Sequence, residues 1–554
     1  MPSSVAVNSG GTLAGGGTVD PVTVTINSGG TLAPGIPGMP GTSLTIVGNL
    51  AFQSGAIYLV QVGSSASTFA AVTGTAALAG NAIAAFAPGS YTQHYTILQA
   101  AGLSGTFASF STIGLPVSFT SNLSYTSTSV VLNLTAALGA GAGLNVNQQS
   151  VASAVNGFFN GGGTLPPGFV TLFGLSGGNL ASALTQASGE TATGSQQTTF
   201  DAMNLFMGLL TDPFVAGRGD GAGTGVTAPG YAEEQGYGVS AYAPGDRPRS
   251  QSERDAYAAI YHKAPPIADS FNQRWGVWAA GFGGSQSTDG NAAVGSNGAT
   301  SSIAGTAVGA DYRFSPFTIA GFALAGGGTS FSVAGSGSGR SDLFQAGAFV
   351  RHNVGPAYIS AALAYGWQDV TTNRTVTIAG TDMLQARFNA NAFSGRLEGG
   401  YRFVAPVIGG VGVTPYAAAQ FTTFDLPAYA ESVLSGSSAF ALAYGARDVT
   451  DPRSELGVRT DKSYAMQGAI LTLRGRVAWA YDYDPDRSVA ATFQTLPGAS
   501  FVVNGAAQAH DSALTTASAE VKWMNGWSAA ATFEGEFSNV TQSYAGKGVV
   551  RYTW

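Results

Sequence analysis

The chain has 554 residues, no cysteine, 79 glycines and only 10% charged residues, against about 25% in an ordinary soluble domain. The missing cysteines exclude disulfide scaffolds, cysteine–zinc sites and thiol nucleophiles, and a net charge of −7 argues against nucleic acid as a partner. An apolar fraction of 45% suffices for large cores, and the length predicts several domains.

Charge is unevenly placed. The first basic residue is Arg218, and before it only Asp20, Glu190, Asp201 and Asp212 are charged. This break predicts two kinds of chain, with a boundary between 215 and 270. Near Met1 there is neither a basic n-region nor an apolar h-region, so the chain reads as N-terminally incomplete or as exported by another route. The longest uncharged apolar stretch, Val130 to Leu144, is too short and too broken by Asn and Gly for a spanning helix of about 20 residues.

In chain order, the first signal is an internal repeat. NSGGTLA occurs at Asn8 to Ala14 and again at Asn27 to Ala33, each time after a β-branched run (Val5 to Val7, Val22 to Ile26). Strand-plus-turn units at such an offset are the size of one coil of a parallel β-solenoid, with Asn-Ser-Gly-Gly supplying left-handed turn geometry. Further units of strand period follow at 43–63, 93–110 and 117–134, where the repeat spacing is lost, as in terminal capping units. Ser28 to Gly55 resembles the passenger-associated transport repeat of autotransporters, and Tyr95 to Leu134 is similar to the autochaperone cap that ends their β-helical passengers. The resemblance covers residues 5 to 135 and implies a solenoid passenger remnant with its cap over 1–140.

Helical periodicity then appears over Val146 to Phe158 and from about Glu190 to Leu210, with Phe200, Met203, Leu205, Phe206 and Leu209 on one side. Asn-Gly, Gly-Gly-Gly and Pro166-Pro167 separate the two. The block 141–215 resembles the segment that precedes the barrel in many autotransporters, above all at Ser188-Gly189-Glu190. A Gly/Pro-rich linker over 216–273 follows. Within it, Ser252 to Ala264 is predicted as a helix, with Ser252 as N-cap, Glu253 and Asp255 in the first turn, Lys263 in the last and Pro265-Pro266 as a stop. So short a helix is marginal in water unless something encloses it.

From Arg274 onward the pattern has period two. In Leu471 to Tyr483, one face carries Leu471, Leu473, Val477, Trp479, Tyr481 and Tyr483, and the other Thr472, Arg474, Arg476 and Asp482. A half-buried soluble sandwich alternates as well. The aromatics at strand ends (Tyr312 and Phe314, Tyr401 and Phe403, Trp523, Trp527) point instead to the interfacial girdles of a transmembrane barrel. Twelve strands are predicted: 274–283, 302–314, 317–331, 342–352, 356–368, 386–403, 412–424, 454–462, 469–483, 512–523, 526–538 and 546–554. Short connections alternate with long Gly/Ser/Asp-rich ones at 284–300, 369–383, 425–453 and 485–511. An even count with both ends on the short-turn side is what a closed outer-membrane barrel requires.

Residues 274–554 resemble the autotransporter β-domain, through the twelve strands, Leu397 to Phe403 (LEGGYRF), Gly535 to Phe537 (GEF) and the terminal aromatic. The resemblance implies an all-β fold: an N-terminal parallel β-solenoid, a helical linker and a C-terminal 12-stranded antiparallel barrel with an α-helix in its pore. It makes 252–264 the pore helix and Asp311, Arg396, Glu398, Arg459, Arg474, Arg476, Glu520 and Glu534 pore-lining, and a lipid-facing Arg or Lys would independently cost about 2 to 4 kcal/mol at the midplane. Val550, Tyr552 and Trp554 on one face of the last strand resemble the signal read by the outer-membrane barrel-assembly machinery, with Trp in place of the more frequent terminal Phe.

Chemistry is sparse. His94, His262, His352 and His510 lack metal-ligand spacing, and no cofactor is expected. Gly174-Leu-Ser176-Gly-Gly178 matches G-x-S-x-G but lies at no strand-to-helix elbow, and reads as a helix-flanking turn. Arg218-Gly219-Asp220 falls in a Gly-rich linker that produces such triplets readily. The Asn-Asn pair at which some family members cleave their pore helix is absent from 252–264, so no such cleavage is expected. The expectation is a non-enzymatic, monomeric outer-membrane protein that translocates and displays its own N-terminal passenger. Its partners are outer-membrane lipid, the barrel-assembly machinery and periplasmic chaperones. The alternatives are an adhesin whose solenoid binds a partner and a porin-like channel.

Overall fold

Residues 5–136 wind into a parallel β-solenoid of two facing sheets; the computed structural model describes residues 3–211, 274–405 and 410–554. Every second residue of Thr23–Ile26, Thr31–Pro34 and Ser43–Ile46 is buried, so Val24, Ile26, Leu32, Leu44 and Ile46 point into the core and the hydroxyls outward. The repeated turn stacks directly: Gly10 N–H donates to Gly29 O at 2.9 Å, Gly29 N–H to Gly55 O at 3.0 Å, and Asn27 Nδ2 to Asn8 Oδ1 at 2.7 Å. Gly10, Gly29 and Gly55 all have φ between 75° and 80°, so the repeat continues structurally at Gln53 to Ala56 where its letters have changed. Coil offsets grow from 19 residues at Asn8/Asn27 to 28 at Asn81/Ser109, which hides the period from sequence comparison. His94–Gly105 then pairs parallel with Phe69–Leu78 and antiparallel with Ser129–Ala136, ending the solenoid.

Four helices follow, α1 (Val146–Asn160), α2 (Pro167–Phe173), α3 (Gly177–Ala187) and α4 (Gly194–Thr211), with a 3-10 turn at Glu190–Thr193. Asn145 caps α1 in a reciprocal box with Gln148. The region between the two predicted helical stretches holds α2 and α3. Pro166-Pro167, read as a break, is also the N-terminus of α2, where a proline's missing N–H costs nothing. Ser176 of the G-x-S-x-G match stands at the N-cap position of α3. No described helix is long and apolar enough to cross a membrane.

The C-terminal half is a closed antiparallel barrel of twelve strands. Its last strand, Thr541–Thr553, pairs with its first, Trp275–Thr288, from Gly276/Thr553 to Thr288/Thr541. Two corrections concern the long connections. The segment 369–383 is mostly strand, because Ala357–Val376 and Asp382–Tyr401 run on together well beyond their predicted ends. The segments 425–453 and 485–511 contain a four-stranded sheet of Tyr429–Ala430, Leu442–Tyr444, Ser488–Phe493 and Ser500–Asn504. Each of these strands is too short to announce itself. They form because Leu442, Phe493, Phe501 and Val503 have an apolar partner in the helices above. One continuous core runs from the solenoid through α1–α3 to this loop sheet, and a second fills the barrel around α4. The segment 252–264 lies outside the described residues.

Candidate functional site: the lumen and the helix within it

At about 1.5 Å per residue, the 18 residues of α4 span roughly 27 Å, close to the height of about 25 Å of a barrel's apolar band. Its hydroxyls would be costly in a dry lumen, but each is spent on the turn before: Thr198 Oγ1 donates to Gly194 O at 2.6 Å, Thr199 Oγ1 to Ser195 O at 2.7 Å and Thr211 Oγ1 to Met207 O at 2.8 Å. One side, with Phe200, Met203, Phe206 and Leu210, packs on the strands from Ala299 to Leu426 and shares a core with Phe331, Phe349, Phe388 and Phe424. The other side carries Asp201, Asn204 and Gly208 and faces a cavity of about 130 Å³ against Arg396, Arg453 and Glu534.

The inner wall is thus divided into an apolar half and a charged half. In the charged half Arg396 forks onto Glu455 at 2.9 and 2.8 Å and reaches Glu398 at 2.9 Å. Arg459 bonds both oxygens of Glu398, donates to Tyr358 Oη at 2.7 Å and lies 3.8 Å over the Tyr416 ring. Arg474 pairs with Glu520, Lys547 with Glu534 at 2.8 Å, and Arg551 with Asp311 at 2.8 Å. Arg476 donates to Thr516 Oγ1 at 2.9 Å and stands 3.9 Å from Glu534. The eight charges named from the sequence therefore fall into three groups, Arg396/Glu398/Arg459, Arg474/Glu520 and Arg476/Glu534, with Asp311 paired to Arg551 outside the eight. Their other partners, Glu455, Lys547 and Arg551, were missed, as was Arg453, which pairs with Glu536 at 2.7 Å. Arg453, Glu455 and Arg459 keep one period-two register, and a strand begun at 454 instead of Arg447 left Arg453 outside it.

The mouth on the long-loop side is where the helical block docks. Arg374 donates to Glu431 Oε1 at 2.9 Å, Phe440 O at 2.7 Å and Gln186 O at 2.7 Å, which places its charge at the C-terminal end of α3. Asn147 of α1 donates to Asn504 O at 2.8 Å and accepts from Asn504 N–H at 2.9 Å. Ser188-Gly189-Glu190 is the hinge of this dock. Gly189 has φ +72°, and a Cβ there would lie 2.4 Å from Leu442 Cδ1. Glu190 accepts from Asn297 N–H at 2.6 Å and from its Nδ2, while burial pushes its carboxyl up to about 7.

At the opposite end, Trp554 and Trp275 exchange backbone hydrogen bonds of 3.1 and 3.2 Å. Val550 and Trp554 are exposed on the outer face, and the Tyr552 ring lies between those of Trp527 and Trp554, at 5.0 and 5.7 Å. Among the described residues no group of three His, Asp or Glu is placed to hold a metal.

The family model of the autotransporter β-domain matches residues 277–534. No curated protein matches the chain. Among solved structures, the translocator domain of the autotransporter NalP from Neisseria meningitidis is 15% identical, covering 54% of this chain and 97% of its own, with a TM-score of 0.41. The β domain of the Bordetella autotransporter BrkA is 19% identical, covering 51% and 100%, with a TM-score of 0.39. The transport unit of AIDA-I from Escherichia coli is 10% identical, covering 54% and 97%, with a TM-score of 0.33.

Proposed function

Residues 277–534 are an autotransporter β-domain of the outer membrane, and from that premise we propose that the chain carries its own N-terminal solenoid across the barrel and holds it displayed at the cell surface. One observation carries this reading. Both ends of the barrel chain, Arg274 and Trp554, lie on the short-turn side, whereas α4 enters the lumen from the long-loop side with the solenoid and α1–α3 behind it. Residues 3–193 therefore sit across the barrel from Arg274. The family's fold serves secretion rather than catalysis. The charged half of the wall keeps the lumen polar beside α4, and the eight lumenal charges named from the sequence act there as paired wall charges. On this reading Val550, Tyr552 and Trp554 are the surface that the assembly machinery reads.

Surface proteolysis of intact cells producing the full chain tests the reading. The solenoid should be degraded or bound by antibody from outside without permeabilisation. A solenoid reached only after the outer membrane is opened would overturn it.

A further inference from the structure

Two of the glycines in the barrel wall have an α4 side chain as the nearest group a Cβ would meet. Gly347 follows Gln345 on the same face of Gly337–Val354, and Gly366 of Ala357–Val376 stands directly opposite Gln345. The positions flanking them on that face, Leu343 and Phe349, are large and buried. A Cβ on Gly347 would lie 2.5 Å from Leu210 Cδ1 and 3.0 Å from both Phe206 Cε1 and the Leu363 carbonyl of the next strand, and one on Gly366 would lie 3.0 Å from Met203 Sδ. Leu210 and Phe206 thus fill the first hollow and Met203 the second, and residues 203, 206 and 210 share one face of a helix. Between the hollows, Gln345 Nε2 donates to Ala202 O at 3.1 Å and to Met203 Sδ at 3.3 Å.

A helix that slides by one residue moves about 1.5 Å and turns about 100°. That would lift all three side chains from their hollows and strand the Gln345 amide. Resting on the translocator reading above, we propose that Gly347, Gly366 and Gln345 are positioning residues: a socket that fixes the depth at which the chain comes to rest in the pore. The socket thereby decides that Ser188-Gly189-Glu190, and no other segment, stands at the mouth, where Asn297 N–H donates to Glu190 at 2.6 Å and Tyr444 Oη to Gly189 O at 3.4 Å.

The cysteine-free chain allows a direct test. A single reporter, Ala202→Cys, is placed where the parent side chain is fully buried, and the purified full-length protein is labelled with a maleimide in detergent. Labelling should be slow in this background and faster by about tenfold or more once Gly347→Leu is added, because the seated state is then opened more often. Adding Leu210→Ala, which makes room for the new side chain, should slow it again. Unchanged labelling in Gly347→Leu would overturn the socket. If that variant fails to assemble, judged by heat-modifiable mobility, Phe206→Ala with Leu210→Ala empties the hollow from the helix side and must give the same acceleration, and its absence would be equally decisive. Labelling is done on purified protein, so loss of the display reading on cells would not be mistaken for loss of the socket.

Discussion

Single residues in this protein act chiefly through what their burial leaves them to pair with. Arg396 is the plainest case, because it alone bridges Glu398 and Glu455 across non-adjacent strands. Arg396→Ala would leave two buried carboxylates short of a partner, which predicts a loss of about 3 to 5 kcal/mol, read as a lower temperature for loss of the folded band on heated gels. Glu190 gives a pH dependence. Its carboxyl is pushed up to about 7 from an ordinary 4.5, so between those values the docked state holds a proton that the undocked chain has lost. Docking is therefore strongest below about 4.5 and weakens as pH rises toward 7, by about 3 kcal/mol in all. Protection factors of residues 177–193, taken relative to intrinsic exchange at each pH, should be lower at pH 8 than at pH 5 in the parent, and should lose that slope in Glu190→Gln. An equal slope in both would assign the titration elsewhere. At this scale the sequence was legible where one strand carried the pattern: Arg474 and Arg476 read as inward-facing from alternation alone. Which partner each charge meets was not legible, since Arg396 and Glu455 are brought together only by curvature of the wall.

At the level of elements, the loop sheet is the least expected component and the easiest to test. The Phe169 ring of α2 packs tilted against Phe440 at 4.7 Å and edge-on against Phe493 at 5.0 Å. Phe493→Ala should cost about 3 to 5 kcal/mol of local stability and make α1–α3 protease-sensitive, while the barrel keeps its mobility on gels. Cleavage confined to the solenoid coils, with the helices intact, would count against the dock. The sheet was invisible beforehand because Leu442–Tyr444 and Ser500–Asn504 have no stability apart from the helices they cover. Coupled elements of this kind leave no period to find. By contrast α4 was legible, because Phe200, Met203, Phe206 and Leu209 repeat at helical spacing. Its place in the lumen was not, since a helix with an apolar stripe suits any apolar wall.

For the whole molecule the decisive relation is between the helix and the opening it fills. Deleting residues 194–211 should raise single-channel conductance several-fold in planar bilayers, because the lumen would keep its charged half and lose the side chains that fill the other. Equal conductance with and without α4 would mean that ions already pass beside it, through the cavity near Arg453 and Glu534. The continuous core from solenoid to loop sheet makes a second prediction at this scale. Solenoid and barrel should stay together after mild heating, and early shedding of an intact solenoid would contradict it. The sequence by itself determined the solenoid turn and the twelve alternating strands, because each is set by local periodicity. Only the tertiary structure decided which helix fills the lumen, which charges pair, and that the outer connections fold into a sheet, because those depend on surfaces that meet only once the barrel has closed.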